Sequence, residues 1–582
     1  MTSRRVLFAS LVLALASCTT SPPPPTDGGE LDGGGDDAPA IDAFVLDTNP
    51  HMGLLYPACD TTDPAPAMAL PHYPSTLVGS YVPHVDRVAS AGPLNPASEM
   101  GEAMYRAMGM HVVDTGPGQA HVTRTDLGAT SSATTGRHSL AWMAHLSDFQ
   151  LVDDESPARL ARTDNALISG GLRAQEAYLP RAVSAMNRTF TRISASRAFD
   201  IGIVTGDCAD SAQTNELGWV LQLMNGGAGL HTDSGSDDDL IPGPGNDAKD
   251  PFDPVPFPAP WLYVPGNHDV EVVGVNTPND TLRAQALGTR AITGTRDYRV
   301  WYAPVTTGDV VPDPMRAIVD RDQIVAAVRA SAAEGPHGPR GHGYPATGTV
   351  DTSLGANWSH DVVPGVLRIV SIDTSDRTGG SSGMVLQSTI DGWLLPELAR
   401  AETDGVLVML ASHHSTRSID TIQGEVGSTV VPGALSGTAI EQIVAMHPVV
   451  IAWLVGHTHD NRIRPVMGPD AAHPGYWEIM TSAIADWPSQ ARTVELVDNG
   501  DGSLSIFATL IDYDTDDCFE RRFRALTQME WASAWSDDRT RDAPNHNVEL
   551  VVALPASATA AVTAARATAP TRIESLTTLM GM

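Results

Sequence analysis

Short apolar runs that stop abruptly on polar residues recur along this chain. "LAWMAHLSDFQ" stops at Asp148 and Gln150, "FDIGIVTGDCAD" at Asp207, and "WLYVPGNHD" at Asn267, His268 and Asp269. "GVLVMLASHHST" follows, stopping at His413 and His414, and then "VVIAWLVGHTHD", stopping at His457 and His459. Runs this rich in Val, Ile and Leu, with no polar alternation, predict strands buried on both faces. In layered α/β folds ligands and catalytic groups collect beyond the carboxyl ends of such strands, so five ends of this kind can meet in one cleft.

Between the runs, "RAQEAYLPRAVSAMNRTFTRIS" and "RDQIVAAVRASAAEG" carry apolar residues at mixed three and four spacings, which predicts helices. Strands alternating with helices predict an α/β domain. A sixth strand candidate, "VLRIVSIDTS", ends at Asp373 and is left outside the site. Residues 51–135 are less periodic and are expected to wrap the domain, which spans 136–515. The segment 516–582 is a C-terminal extension whose Ala- and Thr-rich end, from "ALPASATAAV" onward, is expected to be a loose tail. A long acidic insertion precedes the third strand. Its "DSGSDDD" lacks the spacing of an EF-hand, with Pro244 where the closing glutamate would fall, so a solvated loop is expected.

Composition narrows the partners. Lys plus Arg number 36 against 69 Asp plus Glu, a formal charge of -33 that repels a nucleic-acid backbone. The first 18 residues pair Arg4 and Arg5 with an apolar run from Val6 to Ala16, the pattern of a secretory signal too short to span a bilayer. "LASC", ending at Cys18, resembles the lipobox of bacterial lipoproteins. Residues 19–50 are a Pro, Gly and Asp tether that cannot bury a core. Together they predict lipidation at Cys18 and an extracytoplasmic, membrane-anchored protein. Cys59, Cys208 and Cys518 remain, and Cys59 and Cys518 can pair in an oxidising compartment.

Collected, the five ends offer Asp148, Asp207, Asn267, His413, His457 and His459, with Gln150, His268 and His414 beside them. Oxygen and imidazole donors without thiolates suit Mn, Fe, Zn or Co, and they exceed what one ion needs. A shared carboxylate can bridge two ions, the arrangement of two-metal hydrolytic sites.

In order, "SDFQ", "TGDCAD", "PGNHD", "SHHS" and "GHTHD" resemble the conserved blocks of the calcineurin-like metallophosphoesterase superfamily, in a little-characterised bacterial branch. The resemblance implies a four-layer αββα sandwich carrying insertions, and hydrolysis of a phosphomonoester or phosphodiester, of a small molecule or a phospholipid, by a metal-bridging hydroxide. By the family pattern Asp207 bridges two metals, Asp148 and His459 hold the first, and Asn267, His413 and His457 hold the second. His268 then contacts the phosphoryl group and Asp269 orients it. The family's histidine two residues after Asp148 is Gln150 here, a weaker donor toward transition metals. His414 lines the substrate pocket in this reading, or exchanges roles with His413. Arg159 or Arg492 either clamps a phosphate or serves a structural ion pair. His145, three residues before Asp148, points to the other face of its strand and is expected to be a hydrogen-bonded core histidine. Two rivals stand beside the enzyme: a surface binding lipoprotein with a weakened metal site, and a metallohydrolase of non-phosphate esters.

Overall fold

Residues that alternate between two apolar environments along a strand need a layer on each side, and the main sheets show why. The computed structural model describes residues 70–85, 104–159, 173, 175–238, 242–296, 305–331, 336–424, 428–532 and 543–572. The signal, the tether, Cys18 and Cys59 lie outside them. All described residues belong to one unit, Gly53–Met582.

The strands that build the two large sheets are β1 (Val122–Arg124), β2 (His138–Leu146), β3 (Ile201–Val204), β4 (Trp261–Tyr263), β5 (Ser359–Val363), β6 (Leu367–Ser371) and β7 (Leu407–Ala411). They continue as β8 (Val450–Val455), β9 (Arg462–Asp470), β10 (His473–Met480), β11 (Gln490–Asp498), β12 (Ser503–Asp512) and β13 (Val548–Ala553). One sheet has seven strands in the order β1-β13-β12-β11-β2-β3-β4, and the other six in the order β9-β10-β8-β7-β6-β5. Strands β2, β3 and β4 are mutually parallel, as are β6, β7, β8 and β10. All five apolar runs therefore lie in parallel neighbourhoods, which accounts for their lack of polar alternation.

Leu407, Met409 and Ala411 share one apolar cluster with Met143, Ile203, Val494 and Ile506 of the seven-stranded sheet. Val408 and Leu410, one residue out of phase, pack in a second cluster with Leu398 and Ala401 of helix Leu395–Asp404 and Ile440 and Val444 of helix Gly437–Val444. The period of two puts one face of the strand toward the other sheet and the other toward helices. Helices Leu179–Ser194, Thr214–Asn225 and Cys518–Ala532 contribute Val183, Phe190, Val220, Leu223, Phe523 and Leu526 to the first cluster. The result is a mixed α/β fold with two principal sheets. Both expected helices form, the second as Arg321–Ala330, capped by Asp320.

One expectation about the flanks changes. The wrapping segment supplies β1, and the C-terminal extension supplies helix Cys518–Ala532, strand β13 and helix Thr559–Arg566. "NVELVVALP" has the alternation of a strand, with Val548, Leu550 and Val552 buried, and β1 pairs with it in parallel. The extension is thus part of the core. Cys518 is disulfide-bonded and Cys208 is a buried free thiol. The proposed partner Cys59 lies outside the described residues. Among the described residues no helix is long and apolar enough to cross a membrane.

Candidate metal centre

The ends of β2, β3 and β4 from one sheet and of β7 and β8 from the other carry the candidate residues on tight loops. Asp148, Gln150, Asp207, His457 and His459 all have positive φ, at 53°, 45°, 50°, 80° and 57°. Side chains with a Cβ avoid that region, and a strained backbone persists only where surrounding contacts over-determine it. Here the loops brace one another. Asp148 N–H donates to Gly206 O at 3.0 Å, Gln150 N–H to Asp207 O at 2.8 Å and Gly456 N–H to His413 O at 2.9 Å. Gly456 is required by proximity: a Cβ there would stand 1.9 Å from Ser147 Oγ and 2.6 Å from Asp148 Oδ2. Its bare backbone lets the end of β8 meet the end of β2 across the two sheets.

Asp148 and His457, 309 positions apart, are joined by the His457 N–H donating to Asp148 Oδ2 at 3.1 Å. Asp148 Oδ1 lies 3.3 Å from His459 Nε2 and 4.0 Å from His413 Nε2, and Asp207 Oδ2 lies 3.0 Å from His413 Nε2. One ligand atom each from Asp148, Asp207 and His413 falls within 4.8 Å of the others. His413 Nδ1–H donates to Thr205 O at 2.7 Å, which turns Nε2 inward as a ligand atom. His459 Nδ1 is held by Asp486, itself anchored by Arg173 at 2.7 Å. Asn267 Nδ2 donates to Gly274 O at 2.8 Å, leaving its amide oxygen for the site. Gln150 Nε2 sits 3.3 Å from His459 Nε2.

Buried polar atoms normally find partners. Among the described residues, Asp148 Oδ1, Gln150 Oε1, Asn267 Oδ1 and His268 Nε2 are buried and have no hydrogen-bond partner. Asp148 Oδ1 belongs to the carboxylate and imidazole group described above, and all four atoms are of the kinds that coordinate metals or touch a ligand. This donor set fits a metal centre.

The electrostatics agree. Burial opposes charge on Asp207, yet His413 and His268 outweigh it and hold the carboxylate below its ordinary range. Burial likewise opposes protonation of His413 and His459, but Asp207 raises the first to about 9, and Asp486 with Asp148 raises the second to about 9. His457 goes the other way, to about 3, through burial and the neighbouring His413 charge. The carboxylates demand positive charge at this point. Protons on His413 and His459 supply it among protein groups, and a divalent cation meets the same demand through the same Nε2 atoms.

His268 N–H donates to Asp207 Oδ1 at 2.9 Å, and its ring Nδ1–H donates to Asp210 O at 2.9 Å, with Asp210 Oδ1 at 3.6 Å. Burial disfavours its charged form, but Asp207 and Asp210 prevail and raise its pKa. Gly274, at φ +66°, leaves room for the ring: a Cβ there would lie 2.3 Å from His268 Cδ2.

The structure thus brings together Asp148, Gln150, Asp207, Asn267, His268, His413, His457 and His459. Asp269 and His414 make other contacts than expected, and of the two readings open for Arg159 and Arg492 the structural one fits both. Asp269 does not orient His268. Its Oδ1 accepts the N–H groups of Cys208 and Ala209, both at 2.9 Å, and its Oδ2 that of Gly266 at 2.8 Å, so it clamps the Asp207 loop to the Asn267 turn. His414 engages Thr374 Oγ1 at 2.9 Å and Ser381 O at 3.1 Å, and it also offers a ring nitrogen within 4.8 Å of ligand atoms of His413 and His457, so it stands beside the metal group. Arg159 is buried against Glu176 at 3.1 Å and Asp210 at 3.6 Å, behind His268. Arg492 is fully buried, donating to His546 O at 2.5 Å, Asn545 O at 3.0 Å and Asn461 Oδ1 at 3.2 Å; burial lowers its pKa to about 9. Neither arginine faces outward to take a phosphate.

His145 is the hydrogen-bonded core histidine expected, 2.9 Å from Thr205 Oγ1 and 2.7 Å from Thr481 Oγ1. Sequence reasoning missed the supports: Asp210, Asp486, Gly274 and the Thr205 carbonyl. Asp210 lies three residues after Asp207, but nothing local marks its carbonyl as the acceptor for an imidazole from another loop.

No family model matches this chain, and no curated protein matches it. Among solved structures, a dimetal phosphatase from Danio rerio aligns over 65% of this chain and 100% of its own, at 12% identity and a TM-score of 0.33. An overlap that loose carries no argument about fold or activity.

Proposed function

We propose that this protein is a metal-dependent phosphoesterase, a dinuclear phosphoric ester hydrolase of calcineurin-like four-layer architecture. One observation carries the reading: ligand atoms of Asp148, Asp207 and His413 lie within 4.8 Å of one another, with His457 and His459 against Asp148, and Asp148 Oδ1 and His413 Nε2 are buried without hydrogen-bond partners among the described residues. Asp148, Gln150 and His459 would hold one ion, Asn267, His413 and His457 the other, with Asp207 between them. Two ions of Mn, Fe, Zn or Co would supply the Lewis acidity that activates water and a phosphoryl oxygen at neutral pH.

The chain's own residues do the rest. Asp207 and Asp210 favour the protonated form of His268 against its burial, and its Nε2 is buried with no hydrogen-bond partner among the described residues. From there it donates that proton to the leaving-group oxygen as the phosphorus–oxygen bond breaks. Asp210 holds the imidazole in place, and Arg159 pairs with Asp210 in turn. Asp269 keeps the Asp207 and Asn267 loops together. The substrate is a phosphomonoester or phosphodiester of a small molecule or phospholipid. The signal pattern, Cys18 and the acidic tether support an extracytoplasmic lipoprotein, and the charge of -33 argues against nucleic acid as partner.

The test is elemental analysis of the purified chain together with hydrolysis of p-nitrophenyl phosphate and bis(p-nitrophenyl) phosphate under added Mn, Fe or Zn. Near two metals per chain and metal-dependent phosphate release is the expected result. Release from carboxylate esters alone would move the protein to another class of hydrolase. Low metal content with no turnover would make it a binding protein whose site Gln150 has weakened. His268→Ala should cut turnover by about 100-fold or more with metal content intact.

A further inference from the structure

Away from this centre, a second group of oxygen ligands lies buried on the acidic insertion expected to be a solvated loop. One carboxylate oxygen each from Glu155, Asp233 and Asp238 falls within 4.8 Å of the others. Ligands about 2.4 Å from a shared ion take that spacing. Asp238 is 0% exposed, Glu155 6% and Asp233 7%. Among the described residues neither oxygen of Asp238 accepts a hydrogen bond, nor does Glu155 Oε2. A buried carboxylate with no donor calls for a cation or a proton.

The protein cations nearby bond directly to the adjoining carboxylates, and Lys249 also attracts Glu155 and Asp238 electrostatically. Arg316 pairs with Asp153 at 2.9 Å and stands 3.8 Å from Glu155; Lys249 pairs with Asp154 at 2.5 Å and reaches Thr232 O at 3.3 Å. Asp153 also accepts from Ser234 Oγ at 2.7 Å and Asn215 Nδ2 at 2.6 Å. His231 Nε2 lies 3.7 Å from Asp233, at the partly exposed rim. Five buried carboxylates thus face two buried cations. An all-carboxylate donor set is hard, and three carboxylates in one site suit calcium, since magnesium retains several waters and takes one or two.

We propose that Glu155, Asp233 and Asp238 bind a calcium ion that ties the 231–238 loop to the segment leading from Asp148 and Gln150. The ion would be structural, set apart from the hydrolytic centre but anchoring the chain that carries two of its ligands.

The experiment uses the full chain freed of calcium with EGTA, dialysed free of the chelator, and then given zinc at its metal centre, counted by elemental analysis. Calcium chloride is titrated by calorimetry and by thermal melting, with magnesium chloride in parallel. The expected result is one calcium per chain with a dissociation constant between about 1 μM and 1 mM, a rise in melting temperature, and no comparable rise with magnesium. Asp238→Asn and Glu155→Gln should each weaken calcium binding at least about tenfold while zinc content stays unchanged. Absence of a calcium effect on the parent chain overturns the proposal and leaves a protonated carboxylate cluster with Lys249 as its counterion. Calcium binding of undiminished strength in both variants overturns it as well, by placing the ion elsewhere. An equal magnesium shift overturns the choice of calcium. If one variant fails to fold, the parent titration and the other variant decide.

Discussion

Two oxygen-rich clusters stand one short loop apart, at Asp148 and at Glu155, and they are built differently. The first gathers side chains from five strand ends of two sheets, mixes imidazole, amide and carboxylate donors, and holds its loops at positive φ. The second is carboxylate alone, made from an insertion folded back onto the segment after β2. Both contain buried ligand atoms without hydrogen-bond partners. The first was legible from sequence and the second was not. A polar residue that ends a buried strand is conspicuous wherever the rest of the chain goes. An acidic loop looks solvated until the fold buries it.

The sharpest way to separate the clusters is Asp207→Asn. Loss of the carboxylate shared between the two proposed ions should cost more than the 10–100-fold typical of a supporting residue, with calcium-dependent melting preserved. If calcium dependence disappears with it, the clusters are not independent. Asp210→Asn tests how the first cluster is supported and should lower turnover by about 10–100-fold. The pH profile carries the signature. Asp210 helps raise the pKa of His268, so without its charge the alkaline limb, where the acid form is lost, moves to lower pH. An unmoved limb would mean that Asp210 only holds the loop.

His145 supplies a contrast with both clusters, because it is buried with both ring nitrogens bonded to threonines and needs no ion. Burial, and then Arg492, push its pKa down to about 3, below the value near 6.5 of an unfolded chain. Its contribution is therefore complete above about pH 6.5 and declines as the pH falls toward 3, because only the unfolded state takes up the proton. His145→Gln should flatten the acid loss of stability by roughly 3 kcal/mol between pH 7 and pH 4, measured by denaturant melts. An unchanged slope would show that the histidine is protonated in the folded state. Gln150→His gives the smallest effect, a gain in zinc or manganese affinity on the order of tenfold, read by chelator competition. No gain would mean that position 150 does not face an ion.

How much was legible divides along the same line. Strand existence, the order of the ligand residues and the helices at Leu179–Ser194 and Arg321–Ala330 follow from local periodicity, which the chain carries wherever it folds. The role of Asp269 was misjudged because sequence adjacency to His268 suggested a partner, whereas the helical turn Asn267–Val270 aims its carboxylate at backbone N–H groups of the Asp207 loop. For the arginines the sequence leaves two readings open, a phosphate clamp and a structural role, and burial favours the second. A guanidinium near a motif says nothing of its depth, and Arg492 sits on a strand buried on both faces. The C-terminal strand β13 was legible in "NVELVVALP" but was overshadowed by the Ala-rich segment beyond it.

By itself the sequence determined which residues end the strands, which donor types they present, and therefore what kind of ion they suit, because those depend on residue identity and short-range pattern. Only the tertiary structure decided which donors meet, which nitrogen of each histidine faces inward, and which acidic residues are buried. Those choices depend on hydrogen bonds and burial between segments hundreds of positions apart, and no local pattern encodes a partner at that distance.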